Sequence, residues 1–175
     1  MNIFFIVDID GTVCDSMGRV VEMCNKVNLP FSSENVEKIF SSDDCKHFFS
    51  EEIIMSDGII PGAEKLLSMR NRFNANLVFL TGRDEKFKKE TMRWLNEKFG
   101  ATNYSLYMRP SVHDGKTVPE YKENIFIEEI YKHNKNKYFV FFDDDHRVLE
   151  LYGKFGVIFH APECWDELEV GSENL

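Results

Sequence analysis

Five short apolar runs punctuate the chain: Ile3–Val7, Asn76–Leu80, Ser105–Met108, Tyr138–Phe142 and Gly156–Phe159. Their apolar residues fall on successive rather than alternate positions, the pattern of strands covered on both faces. The stretches between the later runs show helical spacing instead. Pro61–Phe73, Asp84–Phe99, Val118–His133 and Asp145–Phe155 are the predicted helices, with Met92, Leu95 and Phe99, and more loosely Ile125, Ile127 and Ile130, recurring on one face. Buried strands alternating with helices predict an α/β fold, a Rossmann-like three-layer sandwich around a parallel sheet. Ligands of such a sheet sit beyond the carboxyl ends of its strands.

One segment breaks the alternation. Residues 17–57 contain no good strand, only two or three helical pieces, one with Ser33 as a candidate N-cap for a helix running to Phe40. This predicts a small helical cap at 17–57 inserted into a core formed by 1–16 and 58–175. Such a cap can close over a substrate and exclude water, or it can be fixed side packing. Val170 to Leu175 reads as a frayed end.

Composition narrows the function classes. The 175 residues make one domain's worth of chain, with 43% hydrophobic and 29% charged residues, values of an ordinary globular protein. No apolar run approaches the roughly 18 residues of a membrane span, and MNIFFIVDIDGT lacks the basic flank of a signal peptide. With 21 Lys plus Arg against 30 Asp plus Glu, the formal charge is −9, which disfavours extended duplex binding. The four cysteines (Cys14, Cys24, Cys45, Cys164) form no CxxC pair and read as reduced thiols of a cytoplasmic protein.

The candidate chemistry lies at strand ends. Asp8-Ile9-Asp10-Gly11-Thr12 closes the first run, and the strand period puts Asp8 and Asp10 on one side. Two carboxylates so close need a proton or a cation to coexist, and Gly11 permits a sharp turn. The bland alternative is a plain turn rich in Asp and Gly. Leu80-Thr81-Gly82-Arg83 closes the second run and is expected to open a helix, where a hydroxyl and free amides make an anion site; a plain N-cap reads the same way. Asp143-Asp144-Asp145 follows the most apolar run, where charge is costly unless it coordinates something such as Mg²⁺. Complementing a helix dipole would account for Asp145 but poorly for Asp143.

In order and spacing these motifs resemble the haloacid dehalogenase-like phosphohydrolases over nearly the whole chain. DIDGT (Asp8–Thr12) is similar to their first motif, LTGR (Leu80–Arg83) to the second, Pro119-Glu120-Tyr121-Lys122 to the segment bearing the third-motif lysine, and Asp143-Asp144 to the fourth. Gly58-Ile59-Ile60-Pro61-Gly62-Ala63 resembles the usual lead into the helix before the second motif. The second Asp of DxD is the form the phosphatase branch shows. The resemblance implies an enzyme, a Mg²⁺-dependent phosphomonoesterase. In it Asp8 is the nucleophile, Asp10 the acid and then base, and Thr81 and Lys122 the catalytic partners of the phosphate. The metal would be held by the Asp8 carboxylate, the Asp10 main-chain carbonyl and Asp143, with Asp144 nearby. Gly82, Arg83 and Arg109 are the candidate substrate contacts, the two arginines being equally readable as solvated surface charges.

For the substrate, two likenesses compete. Thr81–Glu85, Met92–Leu95, Arg109, Lys122–Phe126 and Asp143–Glu150 resemble the 3′-phosphatase domain of phage-type polynucleotide kinases. There is no kinase P-loop, the insert is longer, and Asp145 stands where that pattern has Arg. Phe48-Phe49 and Ile60–Ala63 resemble instead the lid region of 5′(3′)-deoxyribonucleotidases, where Phe40, Phe48 or Phe49 would stack on a base or simply pack. A nucleotide or a polynucleotide 3′-phosphate end is the expected substrate. A small non-nucleotide phosphate ester, a phosphoacceptor module and a silent binding module are the alternatives. His47, His113, His133, His146 and His160 show no ligand spacing, though His146 follows the acidic run; Trp94 and Trp165 read as packing residues.

Overall fold

The computed structural model describes residues 2–32, 34–35, 51–110 and 115–168. Ser33, Phe40, Cys45, His47, Phe48, Phe49, His113 and the 170–175 tail lie outside them. In chain order the elements are β1 (Ile3–Val7), β2 (Cys14–Asp15), α1 (Met17–Lys26), α2 (Glu51–Ser56), β3 (Gly58–Ile59), α3 (Lys65–Phe73), β4 (Asn76–Asp84), a short 3₁₀ turn (Glu85–Phe87), α4 (Lys88–Glu97), β5 (Tyr104–Arg109), α5 (Val118–Ile125), a π-helical continuation (Phe126–Tyr131), β6 (Tyr138–Asp143), α6 (His146–Tyr152), β7 (Val157–His160) and α7 (Cys164–Glu167).

Five strands form one sheet in the order β5-β4-β1-β6-β7, and every adjacent pair is parallel. The apolar β1 alternates between two cores. Phe5 and Val7 join Phe79, Trp94, Leu95, Phe142 and Trp165 on one face. Ile6 joins Val78, Leu80, Phe126, Phe141 and Tyr152 on the other. Burial on both faces is why these runs show no polar alternation. Helices α3, α4 and α7 cover the first face, α5 and α6 the second, which gives the expected three layers.

Two features depart from the expected elements. The second strand does not end at Leu80 but continues through Thr81-Gly82-Arg83 to Asp84, with a register shift against β5 between Thr81 and Asp84. The amides of Thr81-Gly82 are therefore strand and bulge amides rather than a helix N-terminus. The helical turn starts only at Glu85, where Asp84 Oδ1 accepts from the Lys86 amide. The second departure is a hairpin too short for the hydrophobic pattern to reveal. Cys14 pairs with Ile59 and Asp15 with Gly58, antiparallel. It brings the residues just before Met17 beside those just after Asp57.

Candidate active site

The carboxyl ends of β1, β4 and β6 converge on one cluster. β1 delivers Asp8, whose amide donates to the Phe142 carbonyl of β6 at 2.9 Å, so the first and fourth motifs are locked side by side. Thr117 opens α5 with a capping box closed by Glu120, and this helix carries Lys122 inward. The buried Lys122 ammonium lies 2.8 Å from Asp8 Oδ1 and donates to Asp143 Oδ2 at 2.7 Å. Asp143 Oδ1 accepts from the Asp145 amide at 3.1 Å.

One lysine does not balance this cluster. Carboxylate oxygens of Asp8, Asp143 and Asp144 lie within 4.8 Å of one another. Burial raises the Asp8 carboxyl well above its ordinary value, Lys122 opposes the rise, and Asp143 and Asp144 add to it. Burial likewise raises Asp143, and with Asp143's charge it pushes Asp144 up to about 6. Burial would lower Lys122, yet the charges of Asp8 and Asp143 hold its proton more firmly than usual. Three carboxylates against one ammonium leave two negative charges, and an all-oxygen donor set fits a hard divalent cation such as Mg²⁺.

Gly11 sets the approach of Asp144. It has φ +80°, and a Cβ there would stand 2.3 Å from Asp144 Oδ2. Gly82 plays a similar part on β4, since a Cβ would meet Val118 Cγ1 at 2.9 Å. That contact seats the start of α5, and so Lys122, against the second motif. Thr81 is buried beside it, and its Oγ1 accepts from the Arg83 amide at 3.2 Å, which leaves the hydroxyl proton to donate elsewhere.

Asp10 is held differently. Arg83 Nε donates to Asp10 Oδ2 at 2.6 Å and its NH2 to Oδ1 at 2.7 Å, a two-pronged clasp. Arg19 NH2 donates to Oδ1 as well. Burial would raise the Asp10 carboxyl, but Arg83 and then Arg19 outweigh it and hold it at about 2. Asp10 is therefore an ionised acceptor in the free protein. Asp10, Cys14 and Asp57 also bring ligand atoms close together. Here the two guanidinium groups already supply the positive charge a metal would bring.

The remaining expected residues fall into place around this core. Arg83 is 2% exposed, which overturns its reading as a solvated surface charge. Besides Asp10 its guanidinium reaches Thr91 Oγ1 at 3.3 Å. Arg109, at the end of β5, donates to the Lys116 carbonyl. Asp145 caps α6, its Oδ1 accepting from the Arg147 amide at 2.9 Å. His146 stacks on His160, and His160 Nε2 lies 3.0 Å from the Asp144 carbonyl. Trp94 and Trp165 are fully buried, and their indoles donate to the carbonyls of Asp57 and Thr12. Arg19 and Asp57 went unread in the sequence. The one available signal was that Arg19 is the first basic residue of the chain, after three acidic ones.

A chain of the Pnkp1/Rnl/Hen1 RNA repair complex superposes with TM-score 0.63 at 20% identity, over 91% of this chain and 42% of that one. A phospho-aspartyl intermediate analogue of phosphoserine phosphatase superposes with TM-score 0.56 at 17% identity, over 95% of this chain and 91% of the other. The fold is haloacid dehalogenase-like. A hydrolase from Pseudomonas syringae shares it with TM-score 0.51 at 14% identity, over 88% and 81% of the two chains. The chain spans less than half the length of the repair-complex chains it matches, 42% and 45%. No family model matches the chain, and neither does any curated protein sequence. Among the described residues, no helix is long and apolar enough to cross a membrane.

Proposed function

We propose that the chain is a Mg²⁺-dependent phosphomonoesterase working through an aspartyl-phosphate on Asp8. The observation that carries this reading is Lys122 bridging Asp8 and Asp143, with Asp144 alongside. A nucleophilic carboxylate, a fixed cation and further oxygen ligands then meet at one point. Asp8, the Asp10 carbonyl and Asp143 would hold the metal, with Asp144 beside them. When bound, Mg²⁺ supplies charge that offsets the repulsion between the Asp8 carboxylate and a phosphate dianion.

The chain's own residues do the rest. An Asp8 oxygen bonds to phosphorus as the ester oxygen leaves, and Asp10 gives that oxygen its proton. A water then attacks the aspartyl-phosphate, Asp10 takes the water's proton, and inorganic phosphate leaves with Asp8 regenerated. Asp10 is ionised in the free protein, the state its base step needs. A phosphate dianion arriving beside it raises the cost of that charge and favours uptake of the proton the first step consumes. The Thr81 hydroxyl donates a hydrogen bond to a phosphate oxygen, and Lys122 steadies the charge on Asp8. Arg83 enters this scheme as the clasp on Asp10, and Arg109 as a rim residue of β5.

The substrate is a nucleotide or a polynucleotide 3′-phosphate end. Likeness to a chain of an RNA repair complex supports the choice. The net charge of −9 argues against gripping an extended duplex. Phosphate release tests all of this, measured with Mg²⁺ and with EDTA on 3′- and 5′-mononucleotides, a 3′-phosphorylated oligonucleotide, sugar phosphates and an aryl phosphate. Mg²⁺-dependent release strongest on a nucleotide or a 3′ end is the expected result. Release from sugar phosphates alone would move the substrate to small metabolites, and no release at all would sink the enzyme reading.

A further inference from the structure

Asp57 has no part in the reaction just described, yet it pairs closely with Arg19 and stands near Arg83, the two arginines that hold Asp10. It lies between α2 and β3, and its side chain is 2% exposed. Its Oδ1 is 2.8 Å from Arg19 Nε. Its Oδ2 accepts the Cys14 thiol at 3.2 Å and stands 3.8 Å from Arg83 NH2. The residue is itself fixed, because its carbonyl accepts the Trp94 indole at 3.2 Å and its amide donates to the Ile54 carbonyl at 3.3 Å.

The connectivity is specific. Arg19 faces Asp57 with Nε and Asp10 with NH2, so one planar guanidinium spans the two carboxylates. Arg83 takes both Asp10 oxygens and lends its NH2 to Cys14 Sγ at 3.2 Å. Asp10 thereby accepts three bonds from two arginines, and its side chain stays 28% exposed. A carboxylate has about four acceptor positions, so this clasp leaves roughly one for a reacting oxygen. A guanidinium is a rigid plane on a long flexible stem, so its orientation is fixed only if its far edge is also held. For Arg19 that hold is Asp57.

We propose that Asp57 is a positioning residue: through Arg19 it fixes the Asp10 carboxylate so that its remaining oxygen position faces the leaving group. The inference rests on the phosphatase reading above. Asp57 touches no reacting atom in it. The consequence concerns proton delivery, so it should appear only where the leaving oxygen needs a proton.

Two generic esters separate this role from simple structural support. Phenyl phosphate expels a phenolate that leaves poorly without a proton, whereas dinitrophenyl phosphate expels one that needs none. On each, kcat/KM reports steps up to phenolate release and is blind to the later hydrolysis. Asp57→Asn should lower kcat/KM on phenyl phosphate about tenfold, and the loss on dinitrophenyl phosphate should be at least about fivefold smaller. In an Asp10→Asn background the same substitution should bring no further loss on phenyl phosphate. Arg19→Lys keeps the charge but cannot span both carboxylates, so it should reproduce the selective loss even if Asp57→Asn does not fold. Equal losses on both esters, or a full further loss in the Asp10→Asn background, would overturn the proposal while leaving a phosphatase. A wild-type protein that releases phosphate neither from these two esters nor from any substrate of the panel above would overturn the phosphatase reading and this inference together.

Discussion

Arg83 reaches from the extended end of β4 to clasp Asp10 just beyond the end of β1, Nε on Oδ2 at 2.6 Å and NH2 on Oδ1 at 2.7 Å. The clasp exists because β4 does not stop at Leu80. The bulge between Thr81 and Asp84 keeps the strand paired as far as Arg109 of β5, and Arg83 within it is buried. Both groups are charged, so each bond is of the stronger, charge-assisted kind.

Replacing the fork by a single ammonium tests that geometry. Arg83→Lys keeps the charge but makes at most one of the two Asp10 bonds, and it leaves Thr91 Oγ1 without its guanidinium partner. The expected cost is about 2 kcal/mol of stability, read from urea unfolding, with a fall in phosphate release of roughly 10²-fold. Wild-type stability and rate in Arg83→Lys would show that the clasp is incidental.

The same pairing has a sign in pH. Asp10 is held at about 2, below its ordinary 3.8. A carboxylate depressed by folding adds stability above its unfolded value and loses it as pH falls through the folded one. The contribution, on the order of 2 kcal/mol, should be intact above about pH 4 and drain away toward pH 2. Urea unfolding of wild type and Asp10→Asn should therefore show a larger stability gap at pH 6 than at pH 3. A gap that does not change with pH would mean the arginines do not depress Asp10.

Most of this fold was legible because its signals are local. A strand covered on both faces writes itself as a solid apolar run, and an acidic residue directly after such a run is conspicuous, as with Asp8 after Val7 and Asp143 after Phe142. What escaped notice depends on contacts distant in sequence. Arg19 stands in α1 and Asp57 directly follows α2, and neither lies beside an apolar run that would single it out. Only the hairpin of Cys14-Asp15 with Gly58-Ile59, two residues per strand, brings them together. The extension of β4 was hidden for a similar reason. Thr-Gly-Arg-Asp has the composition of a helix entry, and the pairing of β4 with β5 overrides it.

Lys122 is the sole lysine or arginine paired with Asp8 and Asp143 among the described residues. Lys122→Met keeps the stem's packing and deletes the charge. It should cost about 3–5 kcal/mol at neutral pH, the usual penalty for breaking a buried ion pair from one side. Mg²⁺ should restore part of the loss, and so should acid. Burial already raises Asp8 and Asp143, with Asp143 and Asp144 adding to the rise of Asp8, and without Lys122 both take up protons more readily still. Thermal melting with Mg²⁺ and with EDTA checks the first point, and melting from pH 7 down to pH 5 checks the second. A variant as stable as wild type in EDTA at pH 7 would mean the three carboxylates are not under the strain assigned to them.

Asp8→Asn separates chemistry from architecture. The amide keeps the size of the carboxyl and can still meet Lys122, but its oxygen is not a nucleophile toward phosphorus. Turnover should fall by at least about 10³-fold on every phosphate ester, with melting temperature changed little. Phosphorylated protein trapped from wild type by acid quench should be missing from the variant. Turnover near the wild-type rate would remove Asp8 from the mechanism.

Gly11 offers the sharpest test of how the metal site is shaped, because two independent constraints meet there. Its φ of +80° lies in the region that disfavours a side chain, and a Cβ would stand 2.3 Å from Asp144 Oδ2 and 2.6 Å from its Cγ. The backbone strain alone costs about 1–2 kcal/mol. The steric conflict adds little to that, since Asp144 stands at the exposed edge of the cluster, its carboxylate only partly enclosed, and can swing outward. Swinging away moves an oxygen donor out of the cluster formed with Asp8 and Asp143, so the main damage should fall on metal affinity. Gly11→Ala is therefore expected to need at least about tenfold more Mg²⁺ for half-maximal phosphate release, a loss of about 1.4 kcal/mol in binding. At saturating Mg²⁺ its rate should return toward that of wild type. Asp144→Ala should show the same Mg²⁺ requirement without the loss of stability, and adding it to Gly11→Ala should change the requirement no further. An unchanged Mg²⁺ requirement in a folded Gly11→Ala would place Asp144 outside the metal's reach and leave Gly11 a turn residue only.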